Sequence, residues 1–216
     1  IVGYVMPLVP NAEVLLRYAD VQWRESSGVA PETVADLFRD LAATVSGIHN
    51  ASVVIGDYND LNVLVAGSEA HIIDADSMQF GKFLCRVYTP RFVDPLLCNP
   101  KASSPILARP YTPDSDWYAY AVMLMQSLLY AGPYAGVYRP KRTADRVEHD
   151  ARPLRRISIF HPEVKRPKVM LNPDILPDDL LQFLHQTFEK DRRGPFPVTL
   201  LDQMQWKTCS HCTLLY

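Results

Sequence analysis

Asp57, Asn62 and Asp74 are the residues whose types and spacing suit a definite chemistry. Asp57 ends the run Ile55-Gly56-Asp57, Asn62 follows five positions later, and Asp74 ends Ile72-Ile73-Asp74, twelve positions beyond Asn62. A carboxylate can orient an attacking hydroxyl or accept its proton. An amide oxygen and a second carboxylate are hard donors of the kind that hold Mg²⁺ against nucleotide phosphates. Together they suit phosphoryl transfer, with Asp57 as the catalytic group and Asn62 and Asp74 as metal ligands. The spacing alone is a weak signal, because Asp and Asn also cap ordinary turns.

Stronger constraints come from the elements around these residues. Val63-Leu64-Val65 and Ala70-His71-Ile72-Ile73 flank the turn residues Ala66-Gly67-Ser68-Glu69. That pattern predicts two short strands in a hairpin, which would return Asp74 to the side of Asn62. Upstream, Val34, Leu37, Phe38, Leu41, Val45 and Ile48 fall on one stripe of a helix expected over about Pro31 to His49. Pro31 suits its first turn and Glu32 its positive end. A shorter helix is expected over 11–24, before the break at Ser26-Ser27-Gly28. The stretch from Asp116 through Tyr130 is apolar nearly all round, so it predicts a buried helix ended by Gly132-Pro133. Leu180, Leu181, Leu184 and Phe188 mark one more amphipathic helix.

With 216 residues, 48% of them hydrophobic, the chain can bury a core of its own, and its length favours one domain. The fold class expected is α+β, mainly α. A formal charge of −2 gives no global pull toward nucleic acid or an anionic membrane. No apolar run reaches the roughly 18 residues of a spanning helix and no signal peptide opens the chain, so a soluble cytoplasmic protein is expected. Residues 139–168 hold ten Lys and Arg against four Asp and Glu. Such a surplus fits a solvated face or the docking of an acidic protein partner.

Cys85 and Cys98 read as isolated, buried thiols. In Cys209-Ser210-His211-Cys212 the C-x2-C spacing places Cys209 and Cys212 where they could grip one Zn²⁺, as the first half of a ribbon or knuckle. A redox pair and two inert thiols are the alternatives. The chain starts at Ile1 inside an apolar run, which reads as a piece of a longer protein.

Several motifs carry a resemblance. Ile48-His49-Asn50-Ala51-Ser52-Val53-Val54-Ile55-Gly56 before Asp57 resembles the L-H-x-x-G-I-V-H-R-D stretch of protein kinases. Thr89-Pro90-Arg91-Phe92-Val93-Asp94-Pro95 resembles the T-P-x-Y-x-A-P-E end of their activation segment. Ser115-Asp116-Trp117 and the helix after it look like S-D-x-W-x-x-G, and Asp191-Arg192-Arg193-Gly194-Pro195 like the closing D-P-x-x-R-P turn. The chain thus resembles the protein-kinase-like superfamily from residue 1 to about 204.

The resemblance implies a C-terminal lobe with the N-lobe largely absent. Residues 1–10 would be the last N-lobe strand and the hinge, 11–205 the C-lobe, and 206–216 the start of a zinc-binding element. Met6 would be the gatekeeper. The Pro7 carbonyl and the Val9 amide would hold adenine, Leu64 would form its floor, and Asp116 would cap amides of the catalytic loop. ATP and Mg²⁺ are the implied cofactors, and a protein Ser/Thr hydroxyl the implied acceptor.

Departures are as informative. The Gly-rich loop, strand Lys and helix Glu of the family find no counterpart in the chain. Ile55 and Gly56 replace the His and Arg before the catalytic Asp, and the Lys expected two residues after it is Asn59. Ala75-Asp76 stands for Phe-Gly, with Asp76 either a second metal carboxylate or a solvated loop acid. Leu96 occupies the Glu position, so the family's buried ion pair to a later Arg cannot form in that way. Besides an active kinase, these losses keep open a pseudokinase acting as a binding or scaffold module. Small-molecule phosphotransferases of the aminoglycoside-kinase type share G-D-x4-N and are a third reading. Bacterial kinase-like proteins with C-terminal helix-hairpin-helix or zinc-binding additions are the narrower resemblance.

Overall fold

The computed structural model describes residues 5–206. Its elements in chain order are β1 (Glu13–Val14), α1 (Val21–Ser27), α2 (Pro31–Asn50), β2 (Val53–Val54), β3 (Val63–Ala66), β4 (Glu69–Ile72) and β5 (Gln79–Phe80), followed by α3 (Pro113–Leu129), β6 (Val137–Tyr138), β7 (Val164–Lys165), α4 (Asp178–Glu189) and α5 (Thr199–Asp202). Short 3₁₀ turns fill several of the connections. The architecture is mixed, with helices dominant and three small antiparallel sheets in the orders β1-β3-β4, β2-β5 and β6-β7.

Two helices with different patterns form the core. α2 buries Val34, Leu37, Phe38, Leu41 and Val45 along one face, as its periodicity predicts, and leaves Ile48 half-buried. α3 is buried at every residue from Ser115 to Leu129, because α2, α4 and the 3₁₀ turn Leu15–Ala19 pack around it. The Phe38 and Tyr120 rings meet edge to face at 5.4 Å, and the Tyr120 hydroxyl donates to the Phe38 carbonyl at 2.7 Å. That bond satisfies a polar tip which would otherwise be stranded in the core. A reciprocal capping box fixes the start of α3: Thr112 Oγ1 accepts from the Ser115 amide, and Ser115 Oγ accepts from the Thr112 amide. α3 ends with Tyr130 in the left-handed region, two residues ahead of the Gly132-Pro133 breaker.

Two local expectations change. The described part of the first ten residues contains no strand; the first strand is β1, paired to β3. Residues 11–24 do not form one helix, because the Asp20 side chain accepts the Trp23 amide and starts α1 there. α1 then runs through Ser26 and Ser27 and stops at Gly28, whose φ of 65° is the left-handed cap that favours glycine. No helix among the described residues is long and apolar enough to cross a membrane.

Candidate functional site

The loop that carries Asp57 is held from below by α3. Asp116, in the first turn of that helix, is fully buried. Its Oδ2 accepts the Ile55 amide at 2.8 Å, and its Oδ1 accepts the Gly56 amide at 3.0 Å. His49 Nε2, from the last turn of α2, lies 2.8 Å from Asp116 Oδ2. Burial pushes this carboxyl up, and the bonds from His49, Ile55 and Gly56 pull it back toward ionisation. Asp116 therefore does the capping that its motif implied, and His49 is a partner the motif did not announce.

Gly56 explains one departure. Its φ is +82°, and a Cβ built on it would fall 2.8 Å from Cys85 Cβ and 2.9 Å from Cys85 Sγ. No arginine fits there without moving the 77–87 segment. The Cys85 thiol donates to the Val87 carbonyl at 3.5 Å, and burial pushes its pKa up. Cys98 is also buried, its pKa raised by burial to about 11. Both are packing thiols rather than nucleophiles.

Hydrogen bonds gather the three expected site residues into one loop cluster. The Asp57 carbonyl accepts from Asn59 Nδ2 at 2.9 Å and from Asn62 Nδ2 at 3.1 Å. With its N–H pointed at Asp57, the Asn62 side chain leaves its carbonyl oxygen as the available acceptor. β3 and β4 form the expected hairpin, in which Val63 pairs with Ile72 and the Ile73 amide donates to the Asn62 carbonyl at 3.0 Å. Asp74 follows in the left-handed region at φ 66°, with its carbonyl accepting both the amide and the hydroxyl of Ser77. Its carboxyl is raised above the usual range by burial, by a hydrogen bond with Asp76 and by the charges of Asp76 and Asp57. Asp57 and Asp74 join no salt bridge among the described residues.

The donor set fits Mg²⁺ better than a cage-forming metal. No three His, Cys, Asp or Glu side chains are placed together to hold a metal ion among the described residues. Mg²⁺ is commonly bound by one or two carboxylates, with water and substrate phosphate completing its shell. Asn62 and Asp74 carry one amide oxygen and one carboxylate, hard donors of that kind, with Asp57 beside them in the same loop cluster.

Sequence reasoning missed three supports. Asp94 is buried and takes a bidentate pair from Arg193, at 2.6 and 2.7 Å, while Asp94 Oδ1 also accepts the Leu96 amide. The ion pair that Leu96 seemed to forbid is thus built from a carboxylate two positions earlier. Asp60 is likewise buried and accepts from Arg91 at 2.7 Å and from Gln126 of α3 at 2.6 Å. Asn59 donates to Thr89 Oγ1 at 3.3 Å as well as to Asp57, tying the loop to the segment that begins at Thr89. Asp94 next to Pro95, and Arg193 in Asp-Arg-Arg-Gly-Pro, were the available signals for the first pair.

The expected adenine-binding residues are less assembled. Met6 and Pro7 are exposed and Val9 is half-buried, with no hydrogen bond to the Pro7 carbonyl or from the Val9 amide among the described residues. Leu64, half-buried on β3, lies on the opposite sheet face from the buried Val63 and Val65. Much of the basic surplus serves the fold: Arg152 is buried against the carbonyls of Ala135, Gly136 and Ile157, and Arg156 pairs with Asp191. Cys209 and Cys212, the possible zinc ligands, lie outside the described residues. No family model and no curated protein matches the chain.

Proposed function

We propose that this chain is the C-lobe of a protein-kinase-like phosphotransferase that moves a phosphoryl group from ATP to a protein Ser/Thr hydroxyl. The observation that carries the reading is the joint placement of Asp57, Asn62 and Asp74 by backbone bonds, over an Asp116 that fixes the loop. Asp57 would orient the acceptor hydroxyl and take its proton. Asn62 and Asp74 would hold Mg²⁺, which supplies charge neutralisation at the phosphates when bound. Leu64 would offer an apolar surface to the adenine. Exposed Arg139, Lys141, Arg146, Lys165 and Lys168, which make no side-chain bond among the described residues, are the cations that would meet an acidic protein.

A second reading, a pseudokinase acting as a binding module, is favoured by Asn59 and Gly56. The residue in the lysine position carries no charge and is buried in loop bonds, so it brings no cation to a transferring phosphate. Radiolabelled phosphate transfer from ATP by the full-length protein, with Asp57→Asn as control, separates the two. Transfer abolished in Asp57→Asn supports the kinase. No transfer from a folded protein that still binds its partner leaves the scaffold.

A further inference from the structure

A cavity of about 490 Å³ lies between α1, the C-terminal end of α3, the 3₁₀ turn Pro173–Ile175 and residues 203–206. Its lining shares no residue with the Asp57 cluster. Leu128, Tyr130, Leu171, Ile175, Met204 and Trp206 give it apolar walls, and Arg24 is the cation in it.

Arg24 is only 5% exposed. Nη1 donates to the Ser127 carbonyl at 2.8 Å, and the guanidinium carbon sits 5.0 Å from the centre of the Tyr130 ring. Nothing else meets this charge among the described residues. Nε is buried with no hydrogen-bond partner, Nη2 makes no bond, and no carboxylate pairs with the side chain. Desolvation lowers the Arg24 pKa, which is what a buried cation lacking a counterion experiences. The other buried arginine, Arg152, contrasts with it: there Nε, Nη1 and Nη2 all reach carbonyls.

Nε is closed off from solvent, whereas Nη2 is not among the buried orphaned atoms and is the guanidinium donor left to a ligand. A carboxylate oxygen is the charge-assisted acceptor that an unpaired guanidinium N–H takes. Asp174, on the rim, has its carboxylate turned to Asn172, whose Nδ2 donates to it at 3.2 Å. Pockets of several hundred Å³ with apolar walls and few polar groups are of the size that hold small organic ligands.

We infer that this cavity binds a small amphiphilic carboxylate, its acid group on Nη2 of Arg24 and its apolar body against Leu128, Leu171, Ile175 and Trp206. The assignment is independent of the phosphotransferase reading.

Decanoate is the probe, titrated into the full chain by calorimetry and by tryptophan fluorescence, with Trp206→Phe identifying the share that comes from the cavity wall. Decanol and decyl phosphate serve as comparison ligands. Saturable decanoate binding is expected, about tenfold tighter than that of decanol, which lacks the charge-assisted bonds. Arg24→Gln should remove that preference. Ile175→Trp, at a residue 43% exposed and so tolerant of change, should block binding by filling the cavity while the melting temperature stays put. Absence of saturable decanoate binding overturns the inference, as does equal affinity for decanol. Binding unaffected by Ile175→Trp overturns it as well, because the ligand would then sit elsewhere. Tighter binding of decyl phosphate overturns the choice of a carboxylate.

Discussion

Replacing Asp116 with Ala should loosen the loop that carries Asp57 before it affects anything else. The side chain is fully buried and accepts the amides of Ile55 and Gly56. Removing it strands two N–H groups at a place where Ile55 is only 2% exposed, so water cannot readily replace the acceptor. Each stranded donor costs about 1–3 kcal/mol. The change also ends the desolvation of a carboxylate, which offsets part of the loss. A net destabilisation of about 2–4 kcal/mol is expected, read by urea unfolding followed by circular dichroism. At this chain length that corresponds to a fall in melting temperature of roughly 4–16 °C. Asp116→Asn keeps one carbonyl oxygen but turns an NH₂ toward an N–H donor, so it should cost about half as much. Amide exchange gives the residue-level check, because the Ile55 and Gly56 amides should lose protection in Asp116→Ala out of proportion to the rest of the chain. A change below about 0.5 kcal/mol, with those two amides still protected, would refute the argument that this carboxylate holds the loop.

Three further outcomes follow from the same geometry. Arg193→Met leaves the buried Asp94 charge unpaired and should destabilise the fold by about 3–5 kcal/mol in denaturant titration, whereas Arg193→Met with Asp94→Leu should recover part of the loss; equal losses in both would contradict the pairing argument. Asp74 is raised by burial, Asp76 and Asp57, so the folded chain holds its proton more tightly than the unfolded chain does. Its contribution is complete below the ordinary value of 3.8 and is lost as pH rises through the raised value, so Asp74→Asn should melt higher than the parent at pH 7 without Mg²⁺; a lower melting temperature would tell against it. Gly56→Ala adds a Cβ at φ +82° and 2.8 Å from Cys85 Cβ, and should cost about 2–4 kcal/mol, partly relieved by Cys85→Gly in a double-mutant cycle.

The helices were legible because each had a sustained pattern. Val34 to Val45 repeats at helical spacing, and Asp116 to Tyr130 is apolar on all sides, so tertiary packing and local pattern agree. The 63–72 hairpin was legible from alternation about a Gly-Ser turn. Residues 11–24 were not, because the strand–turn–helix sequence there is decided by pairing of Glu13 and Val14 with β3 and by one cap from Asp20. In the candidate site, Asp57, Asn62 and Asp74 could be named from spacing, and Asp116 from the resemblance of its motif. Asp94 with Arg193, Asp60 with Arg91, and Gly56 against Cys85 could not, since they join residues 99, 31 and 29 positions apart and depend on which side chains the fold turns inward. Spacing of short motifs carries no record of such pairs.

These long-range supports bear on control of the proposed activity. In the protein-kinase scheme, an arginine before the catalytic Asp receives a phosphate and thereby orders the activation segment. Gly56 occupies that position, and the close packing of Cys85 leaves no room for a side chain there. The segment after Thr89 is anchored by other means: Asn59 reaches Thr89 Oγ1, Arg91 reaches the buried Asp60, and Asp94 is clamped by Arg193. All of these contacts use groups that are already charged or polar without modification. Order at residues 89–97 therefore requires no added phosphate. A kinase built this way would be regulated through access to the cleft or through a partner, and not by a phosphate received beside Asp57.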